Sequence, residues 1–348
     1  METFKPSIRA IITTIFKKWN IKISINDVYD IYNESHRFYH TSENHITPML
    51  DNIVKFNDDM KLDDNIFEIL IITAIFHDIV YNPKSKTNEE DSAKFLLSMV
   101  SDATEGINTV VDTILMTKTH NFTNKIEELF CMFDLDILTK DLPELIKWED
   151  LINKEFEWVN WKDYKRERIE VIKKFLEKRT ELPIEVNHTG LQNLIYIIEN
   201  KQPNIAIYAG SFAPFHLGHM NIVKKSDRLF DKVIIAKGRN DSKEINEVTF
   251  ENEFKKLHNL FPTKEVITYK GLLTNLLKEQ EGKITLIRGL RNGYDLEAEN
   301  TMMVYMKDLY PELKIVYIPC DKEYEHISSS AIRSLEKYGD DVVKKYLP

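Results

Sequence analysis

The chain has 348 residues, of which 43% are apolar, and a formal charge of −9 at pH 7. That length suggests about two domains at ~150 residues each, and the acidic balance excludes a broad basic nucleic-acid footprint. The two cysteines, Cys131 and Cys320, fit no metal-ligand spacing and point to a reducing, cytoplasmic setting.

The opening stretch METFKPSIRAIITTIFKKWN reads as an amphipathic, charged helix rather than a signal sequence. Apolar residues then recur at helical spacing over 28–39, 45–56, 66–81, 89–100, 106–120, 164–179 and 191–203. The most apolar run, 66–76, is too short to span a bilayer and ends in His77–Asp78. No membrane partner is therefore expected. At Asn204 the texture changes. Strand-like runs over 204–210, 231–238, 264–270, 283–289 and 313–320 alternate with helical patterns over 216–230, 250–261, 272–280 and 297–310. Such alternation predicts a parallel sheet with helices on both faces. The expected organisation is an all-α domain over 1–202 and a Rossmann-like α/β domain over 203–348, with almost no linker.

Candidate chemistry in the second half gathers where predicted strands end. Gly210 lets the first strand turn sharply, and the next helix offers free N–H groups and its positive dipole end to a phosphate chain. In the stretch His216-Leu217-Gly218-His219 both imidazoles can reach the same phosphates, while Gly218 admits a nucleotide close to the backbone. Arg288 and Arg291 stand at the end of a later strand, on the ligand-binding edge of an open α/β sheet, where guanidinium groups neutralise phosphate. Ser328, Ser329 and Ser330 have N-cap chemistry and can also hold a phosphate.

Residues 204–348 resemble the phosphopantetheine adenylyltransferase family. The stretches that carry the resemblance are GSFAPFHLGH, DSKE, GLLTNLL, LIRGLRNGYDLEAE, PELKIVYIPCDKEYEHISSSAIRSL and YGDDVVKKYLP. The resemblance implies that Gly210, Ser211, Phe212, His216, Gly218, His219, Gly289, Arg291, Glu299 and Ser328–Ser330 hold ATP. It implies Ser211, Lys243 and Arg288 at the acceptor phosphate, and Leu273 and Asn275 along the pantetheine arm. His219, Lys243 and Arg288 would be the catalytic groups, with Mg²⁺ bridging ATP oxygens. The implied partners are ATP, a phosphorylated small-molecule acceptor and further copies of the chain. In line with such chemistry, the acceptor phosphate attacks the α-phosphorus and pyrophosphate leaves, so catalysis is positioning and charge neutralisation. Two positions depart from the family. Ala213 stands where it usually has Asp, and His216 where it commonly has Thr.

In the first half, His45 begins an amphipathic helix and the pair His77–Asp78 ends a very apolar one. A carboxylate there needs a cationic partner, and imidazole with carboxylate suits a divalent metal. Residues 20–200 resemble the HD superfamily of metal-dependent phosphohydrolases. The matching residues are Arg37, Tyr39, His40, His45, His77, Asp78, Asn88, Glu89, Asp134 and Asp136. The resemblance implies the ligands His45, His77, Asp78 and one later aspartate, with Asp136 favoured over Asp134, and His120 at a second metal or a phosphate. The expected protein is thus an HD-type hydrolase fused to an adenylyltransferase of coenzyme A synthesis. Alternatives are a nicotinamide mononucleotide adenylyltransferase that forms NAD, and a nucleotide-binding regulatory protein without catalysis, which Ala213 alone favours.

Overall fold

Helical periodicity accounts for the chain up to Asn200. A computed structural model describes residues 4–100, 105–239 and 247–348. Its first helices are α1 (Pro6–Lys18), α2 (Ile25–Tyr32), α3 (Thr47–Met60), α4 (Asp64–Phe76), α5 (Asn88–Met99) and α6 (Ile107–Met116). They are followed by α7 (Lys125–Asp134), α8 (Leu142–Glu155), α9 (Trp161–Glu177) and α10 (His188–Asn200). The chain folds into two compact units: Met1–Glu155 with Glu167–Glu199, and Phe156–Arg166 with Asn200–Pro348.

In the first unit α4 is the hub. Asp63 caps its start by accepting from the Asn65 N–H, and every residue from Ile69 to Phe76 is buried. A helix apolar on all sides must be surrounded, and α1, α3, α5, α6 and α7 pack around it. The helix expected over 28–39 ends at Tyr32 instead. The N–H groups of Phe38, Tyr39 and His40 donate to Glu155 Oε1 at 2.7, 2.8 and 3.0 Å. A buried carboxylate thus satisfies donors that a helix would have used internally. A π-helical turn, Ser42–Ile46, then leads into α3.

The second unit holds five parallel strands: β1 (Asn204–Gly210), β2 (Lys232–Arg239), β3 (Val266–Lys270), β4 (Lys283–Leu290) and β5 (Lys314–Pro319). The helices between and after them are α11 (Leu217–Ser226), α12 (Glu247–Leu260), α13 (Leu273–Glu279), α14 (Gly293–Leu309), α15 (Ser329–Glu336) and α16 (Asp340–Lys344). The strand order is β3-β2-β1-β4-β5. Ile207 of the central strand is level with Ile234 on one side and Leu286 on the other. Ile205 to Ala209 are all buried, as expected of a parallel strand covered on both faces. The chain moves outward first through β2 and β3, then returns to lay β4 on the other side of β1. This reversal opens a crevice beyond the carboxyl ends of β1 and β4.

The sequence reading places residues 156–166 with the helical domain; in the structure they belong to the second unit. Glu157 Oε1 accepts the Val233 N–H at 2.7 Å, and the Glu157 carbonyl accepts from Lys232 Nζ at 2.6 Å. Trp161 and Tyr164 join Ile205, Ile234 and Leu277 in one core cluster. Among the described residues no helix is long and apolar enough to cross a membrane.

Candidate functional site

The turn after β1 is built by side chains that hold its backbone. Phe212 has φ 46°, a left-handed conformation unusual for a side-chain-bearing residue. Lys237 Nζ donates to the Ser211 carbonyl at 2.6 Å and lies 3.5 Å from that of Phe212. Arg333 Nη1 donates to the Ala213 carbonyl, and Ser329 Oγ to that of Pro214 at 2.9 Å. α11 then starts with His216 as its N-cap in a reciprocal capping box. His216 Nδ1 accepts the His219 N–H at 3.4 Å, and His219 Nδ1 accepts the His216 N–H at 3.2 Å. Each ring therefore carries its proton on Nε2 when neutral. The rings stack with centroids 3.6 Å apart. A Cβ on Gly218 would sit 3.1 Å from the His216 ring, so a larger residue there would press on the stack.

Ser211, His216, Gly218, His219, Gly289, Arg291, Glu299 and Ser328–Ser330 all line one cavity of about 410 Å³. Asp295 grips Arg291 through bonds of 2.9 and 2.8 Å. Glu299 grips Arg288 at 2.6 and 2.5 Å, and Arg288 also donates to the Ala209 carbonyl at 3.1 Å. Gly210 and Arg288 stand behind the cavity wall, while Phe212 and Ala213 line a neighbouring cavity of about 560 Å³. Leu273 and Asn275 are not in the first cavity either. Leu273 packs on the core cluster of Ile205 and Leu277, and Asn275 is exposed on α13. Lys243 lies outside the described residues. Burial and Arg291 lower the His216 pKa to about 4, and burial with His216 and Arg291 holds that of His219 well below the usual imidazole value. The pair is neutral near pH 7.

A second group of side chains converges in the first unit. His45 Nε2 and His77 Nε2 are 3.0 Å apart. Asp134 Oδ1 is 3.5 Å from each, and Asp78 Oδ2 is 3.1 Å from His77 and 3.6 Å from His45. His77 Nδ1 is 3.1 Å from the Ala74 carbonyl, which leaves Nε2 as the lone-pair side. Burial opposes charge on His45, but Asp134 and Asp78 outweigh it and lift its pKa to about 9. A divalent cation would replace the protons these carboxylates draw in, so the donor set fits such an ion. Asp136, the aspartate favoured from sequence, pairs instead with Lys140 at 2.7 Å and accepts from Asn52 at 3.1 Å. Asp134 closes α7 while Asp136 opens a 3-10 turn, and both border a cavity that His45 also lines. His120 bonds Asp134 Oδ2 at 2.9 Å.

Arg37 supports this group from behind by donating to the Asp78 and Ile79 carbonyls, both at 2.8 Å. Asn88 brackets Asn82 by donating to its carbonyl and accepting its N–H, and Glu89 faces Lys118 at 3.6 Å; both lie away from the cluster. Glu155 escaped the sequence reading. It binds His40 Nδ1 at 2.6 Å and the Tyr81 hydroxyl at 2.7 Å. Burial opposes its ionisation, but His40 and backbone N–H groups hold its pKa at about 2. Lys237 was missed too, because a lysine inside an apolar strand pattern reads as an ordinary strand residue.

Comparison with known proteins bears on the second unit. A cytidylyltransferase-like family matches residues 207–335. A phosphopantetheine adenylyltransferase of Cytophaga hutchinsonii is 44% identical over 144 residues, which cover 40% of this chain and 93% of that relative. The chain belongs to the phosphopantetheine adenylyltransferase family. Another relative of that name, from Buchnera aphidicola, is 36% identical over 147 residues, or 41% of this chain and 88% of its own length. Among solved structures, a Plasmodium falciparum nicotinic acid mononucleotide adenylyltransferase complexed with NaAD aligns at 20% identity with a TM-score of 0.29. It covers 41% of this chain and 90% of that one. A likeness that shallow carries no argument. The family match makes the second unit a nucleotidyltransferase domain.

The depressed histidines give this domain a pH signature. Between the ordinary pKa of 6.5 and about 4, the unfolded chain protonates His216 while the folded form resists. Stability is therefore fully present above about 6.5 and lost as pH falls toward 4. We expect thermal unfolding of H216N/H219N to depend less on pH across that window than unfolding of the parent. Parallel curves would rule these rings out as the cause.

Proposed function

We propose that the second unit transfers the adenylyl group of ATP to phosphopantetheine, giving dephospho-coenzyme A and pyrophosphate. The observation that carries this reading is the meeting of His216, His219, Arg291 and the Ser328–Ser330 turn in one cavity. It is supported by relatives of that name that match over most of their length. A phosphate oxygen of the acceptor attacks the α-phosphorus of ATP, the bond to the β-phosphate bridge breaks, and pyrophosphate departs. The Nε2–H groups of His216 and His219 donate to phosphoryl oxygens as negative charge builds on them. Arg291 and the N–H groups opening α15 hold the polyphosphate. Arg288 and Lys243 serve the acceptor phosphate. Leu273 and Asn275 follow β3 at the same carboxyl edge of the sheet, which suits a pantetheine arm lying on the β2–β3 side. Asp295 and Glu299 are already paired with arginines. Mg²⁺ is therefore carried in by ATP as part of the substrate rather than held in a protein cage.

Incubation with ATP, Mg²⁺ and either phosphopantetheine or nicotinamide mononucleotide, with products identified by mass, tests the reading. Dephospho-coenzyme A is expected; a dinucleotide from nicotinamide mononucleotide alone would replace the acceptor, and ATP binding without any product would favour a regulatory role. His219→Ala should lower kcat by about 10²–10³-fold with little effect on ATP affinity, because its bond strengthens mainly in the transition state. Equal losses in both would mark His219 as a binding group only.

A second reading concerns the helical unit, and it rests on the convergence of His45, His77 and Asp134 with Asp78 beside them. We propose an HD-type metal-dependent phosphohydrolase in which these four residues hold a divalent ion and His120 orients Asp134. When bound, the ion supplies Lewis acidity and an activated water for attack on phosphorus. Asp78→Ala should abolish metal retention, measured by elemental analysis, while adenylyl transfer by the same preparation stays near the parent rate. Full metal occupancy in that variant would refute the ligand set.

A further inference from the structure

Lys237 is the least expected residue of the sheet. It lies in β2, level with Gly210 of β1 and Thr268 of β3, and its side chain is 1% exposed. Burying an ammonium group is costly unless its hydrogen bonds are met. Lys237 meets them with the Ser211 carbonyl at 2.6 Å and Glu253 Oε2 of α12 at 2.8 Å, and it lies near the Phe212 carbonyl at 3.5 Å. The Phe250 ring, also on α12, lies 5.1 Å away as a cation–π neighbour. No other described element bonds the Ser211 or Phe212 carbonyl through a side chain, whereas Ala213 and Pro214 are held by Arg333 and Ser329 of α15.

We infer that Lys237 is a positioning residue for nucleotide binding, acting through the turn 211–212. Phe212 adopts φ 46°, and such a conformation persists only where its surroundings impose it. Lys237 imposes it by drawing two successive carbonyl oxygens toward the sheet interior. Carbonyl oxygens left free beside the cavity would repel a phosphate chain. Turned inward, they leave Ser211, His216 and His219 to face it. Lys237 does not itself line that cavity. The charge of Glu253 balances the buried cation and ties α12 to the same turn. The inference rests on the nucleotidyltransferase reading of the cavity.

The test uses the full chain with three substitutions: Lys237→Met removes the donors at similar length, Lys237→Arg keeps the charge, and Glu253→Gln removes the balancing charge. ATP affinity is measured by calorimetry, and kcat and KM by pyrophosphate release. Amide exchange between Ser211 and His219 is followed by mass spectrometry. Lys237→Met should weaken ATP binding about tenfold or more, raise KM for ATP, and speed exchange in that segment while β1 and β4 stay protected. Lys237→Arg should recover part of the affinity, and Glu253→Gln should shift both readouts in the direction of Lys237→Met by less. ATP affinity and exchange like the parent in folded Lys237→Met would overturn the inference, as would a uniform loss of protection across the sheet. If Lys237→Met does not fold, the other two variants decide, and parent-like values in both overturn it. If the parent itself fails to bind ATP, the adenylyltransferase reading falls. The exchange rates between Ser211 and His219 still decide whether Lys237 holds the turn.

Discussion

The turn after β1 presents four consecutive carbonyl oxygens, from Ser211, which lines the site cavity, to Phe212, Ala213 and Pro214, which line its neighbour. Each has a side-chain donor nearby: Lys237 for two, Arg333 for the third and Ser329 for the fourth. The neighbouring elements supply these donors. β2 must lie beside β1 to bring Lys237 level with Gly210. α15 must begin against the same turn, which brings its serines to the cavity that Ser211 also lines.

The two units handle charge in opposite ways. In the helical unit, acidic groups crowd a buried pair of imidazoles and raise the pKa of both. In the sheet unit, burial and a neighbouring arginine lower those of His216 and His219. The first arrangement gathers negative charge around two imidazoles. The second keeps its rings neutral, as hydrogen-bond donors with no fixed positive charge of their own.

The sequence made the α/β half legible because strand and helix periods differ and the glycines mark where strands end. His216, Gly218, His219, Arg291 and the serine run could be placed on one edge for the same reason. Other features were beyond that logic. Asp134 and Asp136 carry the same chemistry two positions apart, and no local pattern separates the one beside His45 and His77 from the one paired with Lys140. Residues 33–39 continue the helical spacing of 28–32, yet the N–H groups of Phe38 and Tyr39 are claimed by Glu155, more than a hundred positions along the chain. Lys237 and Glu155 both act through the backbone of other segments, and such partnerships leave no local pattern.

The segment Phe156–Arg166 changes what a boundary means for this protein. Two domains fused end to end are joined by one passage of the backbone, but here the chain passes between units three times, at 155–156, 166–167 and 199–200. During synthesis Trp161 and Tyr164 emerge before any strand of the sheet they pack on. They must wait while the last helices of the first unit are made. A gene cut at Asn204 would release a sheet whose Val233 N–H has lost Glu157 and whose core lacks two aromatic rings. The second unit is therefore a body woven from two stretches of chain, with part of the first unit encoded between them.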